Sequence, residues 1–121
     1  MFLASSNKSK RLLHISYLEQ VEPEELQRGL EDLKLLLAEL PQNFRLLVDF
    51  SRLEFMAPTC AAEVGLAMEI IDRHGVELVV RVIPDSSKDI GMNILSIFHY
   101  THRPRIVTCE TITEAAKALG L

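Results

Sequence analysis

From residue 11 to the end of the chain, short β-type apolar runs alternate with helical apolar stripes. Successive strands lie about thirty residues apart, the length that a right-handed βαβ crossover requires. This alternation constrains the fold more than any other feature of the sequence. It predicts an α/β domain with a mainly parallel sheet and about four helices.

Within Arg11 to Leu18, Leu13, Ile15 and Tyr17 share one strand face, and Leu12, His14, Ser16 and Leu18 share the other. Upstream, Ser5-Ser6-Asn7-Lys8-Ser9 is rich in turn formers, so Met1 to Ala4 is expected to pair back as an edge strand. Pro23 suits a first helical position, and Glu22, Glu24 and Glu25 suit the positive end of a helix dipole. Leu26, Leu30, Leu33, Leu37 and Leu40 then follow along one helical face until Pro41 stops it. Phe44 to Phe50 reads as a strand covered on both faces.

A second helix is predicted from about Thr59 to His74, with Val64, Met68 and Ile71 on one stripe and Ala67 and Ile70 beside it. Gly75 is placed to end it in a left-handed conformation. Leu78 to Ile83 reads as another buried strand, broken by Pro84. Asp85 or Ser86 is expected to cap a third helix carrying Ile90, Ile94, Ile97 and Phe98. Arg105 to Cys109 reads as the last strand, and Thr111 with Glu114 has capping-box spacing for a short helix with Ala115, Ala116 and Leu119. With no repeat or low-complexity stretch, residues 1–121 read as one domain.

Hydrophobic residues make up 48% and charged residues 25%, the balance of an ordinary globular protein and not of a disordered tail. No apolar run approaches the ~20 residues that span a bilayer, and Met1 to Arg11 lacks the apolar stretch of a signal peptide, so a cytoplasmic protein without membrane association is expected. Lys and Arg number 13 against 17 Asp and Glu, and there is no Trp, a poor basis for tracking nucleic-acid phosphates. The acids concentrate between Glu22 and Glu39, where Glu22, Glu24, Glu25, Glu31, Asp32 and Glu39 face only Arg28 and Lys34. Cys60 and Cys109 are too few for a disulfide scaffold and too scattered for zinc, so free thiols and no metal are expected.

Loops leaving the C-terminal ends of parallel strands converge on one rim, where helix N-termini also point. Ser51 to Thr59, Pro84 to Lys88 and Glu110 to Thr111 qualify. His99 to Arg105 joins a helix to a strand and so belongs at the opposite rim, which separates His102 from Cys60.

The stretch Val48-Asp49-Phe50-Ser51-Arg52-Leu53-Glu54-Phe55-Met56-Ala57-Pro58-Thr59-Cys60 resembles the signature of STAS domains, the family of anti-sigma factor antagonists and related bacterial regulatory modules. That signature runs strand, Asp, Leu or Phe, Ser, any residue, apolar, any residue, Phe, apolar, and then Asp-Ser-Ser/Thr-Gly opening a helix. The match is close from Asp49 to Met56, and the order of elements agrees along most of the chain. Beyond Met56 the sequence departs: the family's Asp aligns with Ala57, its phosphorylatable Ser with Pro58 and its Gly with Cys60, and only Thr59 keeps a hydroxyl. The resemblance implies a STAS-like fold and a regulatory protein partner such as an anti-sigma factor or a signalling kinase. A proline has no oxygen to phosphorylate, so the family's usual switch cannot operate at position 58.

Thr59 at a helix start is a candidate phosphosite, but a plain N-cap is the stronger reading. Cys60 near the same helix end is a candidate reactive thiolate, against a small buried residue where the family has Gly. Ser86, Ser87 and Lys88 are candidate anion-binding residues, against a cap with a solvated Lys. The sequence has no Gly-rich phosphate fingerprint, so no cofactor is expected. His99, His102, Arg103 and Arg105 read as a basic cluster at a helix C-terminus, suited to an acidic surface such as the first helix of a second copy, which keeps a homodimer open.

Nothing in the sequence assembles nucleophile, base and oxyanion donors, so a non-enzymatic interaction module is expected. Its docking residues would be Ser51, Met56, Ala57, Pro58, Thr59 and Cys60. Two alternatives stand beside it: an antagonist phosphorylated at Thr59, and a small-ligand or thiol sensor centred on Thr59, Cys60 and Ser86.

Overall fold

The computed structural model describes residues 1–85 and 89–121. Alternation within Leu12–Tyr17 (β2) divides that strand between two cores. Leu13, Ile15 and Tyr17 are buried with the leucine stripe of Pro23–Ala38 (α1), and Leu12 is buried on the other face. Phe2–Asn7 (β1) pairs antiparallel with β2, from Phe2 opposite Tyr17 to Asn7 opposite Leu12. The edge strand therefore exists but runs through Ser5 and Ser6, and the turn falls at residues 8–11, where Arg11 N donates to Lys8 O and Asn7 Oδ1 accepts from Lys10 N.

Three parallel ladders extend the sheet. Phe44–Asp49 (β4) pairs with β2, Val76–Val82 (β6) pairs with β4, and Arg105–Cys109 (β7) pairs with β6. The order is β1-β2-β4-β6-β7, a mixed sheet that is parallel everywhere except at β1. On one face, α1 and Ala61–Arg73 (α2) bury Leu26, Leu33, Leu37, Val64, Ala67, Met68 and Ile71. On the other, Ile112–Leu119 (α4) buries Ala115 and Leu119 against Leu47, Val80 and Val82.

The helix ends follow their local chemistry. Gly75 takes the left-handed conformation (φ +94°) just beyond α2, where a side chain would be strained. Thr111 caps α4 by accepting from Glu114 N at 3.2 Å, while the Glu114 carboxylate reaches back to Glu110 N and not to the Thr111 amide of a full capping box.

The helix Asp89–His99 (α3) departs from the expected pattern. An apolar stripe ordinarily turns inward, yet Ile94, Ile97 and Phe98 are 52%, 76% and 71% exposed. The residues α3 turns inward are Met92, Leu95, Ser96 and His99. The buried Ser96 returns its hydroxyl to Met92 O at 2.7 Å, so it carries no unmet donor. The His99 ring lies over Gly65, and its Nδ1 is 3.1 Å from Glu69 Oε1 on α2. Asp85 is exposed and lies four residues before the first residue of α3, so it is not the cap expected there, while Ser86 and the Ser86-Ser87-Lys88 anion site lie outside the described residues.

Candidate functional site

β2 and β4 lie side by side in parallel, and both chains continue past the sheet's C-terminal edge. There they pair a second time. Glu19–Val21 (β3) and Leu53–Met56 (β5) form a small parallel ladder, joined by Glu19 N donating to Arg52 O at 2.9 Å. What the sequence presents as one long loop from Ser51 to Thr59 is thus a hydrogen-bonded flap. The signal missed was short: Glu19-Gln20-Val21 offers a single buried apolar residue, too few for periodicity to reveal a strand.

The turn between β4 and β5 is fixed by side chains. The Asp49 carboxylate accepts from Ser51 N at 2.8 Å, an Asx turn that uses the signature's acid structurally. Phe50 stacks on the buried Tyr17 with ring centroids 4.9 Å apart and planes 1° from parallel. Beside this turn a cleft of about 420 Å³ opens between the flap and the end of β6. Phe50, Leu53, Phe55, Met56, Ile83, Pro84 and Met92 supply its apolar wall, with Ser51, Glu54 and Asp85 at its polar edge. Phe55 stands 52% exposed at the flap, a large apolar side chain left in water.

After Ala57 the chain makes a 3-10 helix, Pro58–Cys60, before α2 begins at Ala61. Proline at its first position has no N–H to orphan, which suits it there. Thr59 lies inside this turn and caps neither helix, because the N-cap positions fall on Ala57 and Cys60 and neither makes a side-chain cap bond. The capping role expected of Thr59 is therefore overturned. Its side chain is exposed, as is that of Pro58.

Cys60 is fully buried, with its thiol directed at Val21 O at 3.5 Å. Burial pushes this thiol up from its ordinary range, and Glu22, Glu63 and Glu24 push it further in the same direction. That is the opposite of an activated thiolate, and burial makes Cys60 a packed side chain rather than a presented one. Cys109 is also buried and also raised, by burial and by Glu114. The same three acids around Cys60 give the start of α2 a negative surround, unsuited to a second anion.

The histidines lie at the other rim, as the connection order requires. His102 Nδ1 is 2.7 Å from Asp72 Oδ2, and Asp72 also accepts from Thr101 Oγ1 and His102 N. With His99 on Glu69 and His102 on Asp72, the two rings serve separate carboxylates and do not converge on one ion. Among the described residues, no group of three His, Cys, Asp or Glu side chains is placed to hold a metal, and no helix is long and apolar enough to cross a membrane.

One charged residue escaped the sequence reading. Arg81 sits within the apolar run of β6, is only 2% exposed, and donates from Nη2 to Asn93 Oδ1 on α3 at 2.9 Å. The available signal was its alternation with Val80 and Val82, which turns Arg81 to the helix-covered face opposite α4.

No family model and no curated protein matches this sequence. Solved structures do match, over nearly the whole chain. An uncharacterised protein from Shewanella loihica with a SpoIIAA-like fold superposes with a TM-score of 0.71 at 12% identity, covering 98% of this chain and 92% of that one. The anti-sigma factor antagonist SpoIIAA in its unphosphorylated form superposes with a TM-score of 0.62 at 13% identity, covering 99% of this chain and 98% of its own. An anti-sigma factor antagonist from Mycobacterium paratuberculosis gives a TM-score of 0.60 at 14% identity, covering 100% and 94%. The chain has the SpoIIAA-like, STAS-type α/β fold.

Proposed function

We propose that this chain is a non-enzymatic protein-interaction module of bacterial cytoplasmic signalling, which docks a regulatory partner on the rim formed by Ser51, Met56, Ala57, Pro58 and Thr59. Cys60 supports that rim from below as a packed side chain. The observation that carries the reading is the apolar cleft beside the exposed Phe55, built on a flap that backbone hydrogen bonds hold in place. A preformed surface lowers the ordering cost of association. Glu22, Glu24, Glu54, Glu63 and Asp85 around the rim favour a partner face that carries positive charge. The fold it shares with two anti-sigma factor antagonists makes an anti-sigma factor, or a kinase of that kind, the partner class to test first.

Pro58 removes the phosphoacceptor position that the resemblance assigns, and the acids around the start of α2 disfavour a phosphate on Thr59. Docking is therefore read as constitutive. Titration calorimetry of the chain against the anti-sigma factors of its own cell tests this. A Met56→Glu variant is expected to lose about tenfold or more in affinity, through a charge buried at a desolvated contact. Equal affinity for wild type and variant, or no binding to any of them, would remove the reading.

A further inference from the structure

The outward face of α3 carries Ile94, Ile97 and Phe98, and the α3–β7 side holds a shallow groove of about 350 Å³ lined by Ile97, Pro104, Ile106 and Arg103. Together the three exposed side chains leave on the order of 400 Å² of apolar surface in water, the size of patch that marks a contact site. The exposed Arg103 edges it with positive charge. The chain also carries the complement. On the outer face of α1, Leu35 is 71% exposed, with Glu31 and Asp32 one turn before it and Glu39 one turn after. No basic residue occupies the last turn of α1, so Glu39 adds to the negative end of the helix dipole.

We propose that the α3–β7 groove receives the outer face of α1 from a second copy of this chain, with Leu35 set against Ile97 and Phe98 and its acids against Arg103. Two different faces meet, so the contact closes into a dimer or ring where its rotation permits and otherwise propagates into open chains of copies. The patch is about half of the roughly 800 Å² per partner that a stable complex buries, which makes the association weak and reversible. A lipid surface fits less well, because a membrane-lying helix carries Lys and Arg along its polar face and α3 has neither between Asp89 and His99. This contact is separate from the rim and does not depend on it.

Sedimentation velocity over a concentration series tests it, at about 20 mM and about 500 mM salt. Wild type is expected to grow in average size with concentration and to lose that growth at high salt. Arg103→Glu, and separately Glu31→Lys with Asp32→Lys, should each weaken association about tenfold or more at unchanged melting temperature. A single chain carrying all three reversals should return to within about threefold of wild type, since the charges are complementary again. A monomeric wild type at all concentrations overturns the proposal, as does indifference to the α1 reversals. Sedimentation of the wild type with phosphatidylglycerol vesicles, lost on Ile97→Ser with Phe98→Ser, would assign the patch to lipid and overturn it too.

Discussion

Arg81 Nη2 donates to Asn93 Oδ1 at 2.9 Å, so a buried cation on the central strand β6 grips the middle of α3. This polar tether, beside Met92 and Leu95 packed on the core, holds a helix that faces Ile94 and Ile97 outward. Asn93→Leu deletes an acceptor from a buried cation and is expected to cost about 1–3 kcal/mol in urea unfolding. Adding Arg81→Met to that variant should cost less than the two single losses together, because the deleted groups are partners of one another. Additive losses in the double variant would show that the pair is not the tether.

Gly65 and His99 form a second α2–α3 contact. A Cβ at position 65 would come 2.5 Å from His99 Nε2, in a ring that Glu69 also holds. Gly65→Ala gains about 1 kcal/mol in helix propensity and loses about 1–3 kcal/mol to overpacking, for a net destabilisation. In a His99→Ala background the clash is absent and the same substitution should stabilise. Thermal melts of the four chains decide it, and a stabilising Gly65→Ala in the wild-type background would contradict the contact.

Four buried acids set the alkaline limit of stability. Burial raises Tyr17 and Tyr100 well above their ordinary value of 10.0, with further pushes from Cys60 on Tyr17 and from Tyr17 on Tyr100. Cys60 and Cys109 are raised above 9.0. The folded-state values exceed the unfolded ones, so the stability these groups contribute is complete below pH 9 and drains away as pH rises. The thiols begin near pH 9 and the tyrosines near pH 10. Beyond that, each tyrosine that ionises only in the unfolded chain costs about 1.4 kcal/mol per pH unit. Urea midpoints from pH 8 to 11.5 should fall with steepening slope, and Tyr17→Phe should flatten it. A flat profile would mean that these hydroxyls reach solvent without unfolding.

Cys60 and Cys109 should also resist alkylation in the native state, slower than in urea by on the order of a hundredfold or more, since both need local opening and a thiolate. Rapid native labelling of Cys60 would return the thiol sensor to contention.

The sequence made the sheet and its two cores legible because long apolar periods report burial directly. Leu26 to Leu40 and Val64 to Ile71 take the faces their spacing predicts. It misled where burial ran against hydropathy. In α3 the polar Ser96 is buried while Ile97 and Phe98 are exposed, and the polar contacts through Arg81 and His99 that help hold the helix leave no mark in its hydrophobic period. The rim was legible as a place, through Asp49 to Met56, but its construction was not. A three-residue β3 with one buried Val, and a 3-10 turn in place of a Thr59 cap, rest on pairings between distant segments that local spacing does not encode.

Pro58 gives a direct test of the missing switch. Incubated with an anti-sigma-type kinase that binds the chain, and with ATP, the wild type should take up no phosphate by intact mass. Pro58→Ser should take up one, because it places a hydroxyl at the exposed first position of the 3-10 turn. Phosphate on the wild type, mapped to Thr59, would replace constitutive docking with a displaced switch.

The account rests most heavily on where the partner sits. Amide chemical-shift mapping of the labelled chain, titrated with the proposed anti-sigma-type partner, reads that position residue by residue. The largest shifts should cluster at 51–59 and at Ile83 to Asp85, and leave the His102 and Asp72 rim unmoved. Shifts gathered on that opposite rim, with Phe55 and Met56 undisturbed, would contradict it.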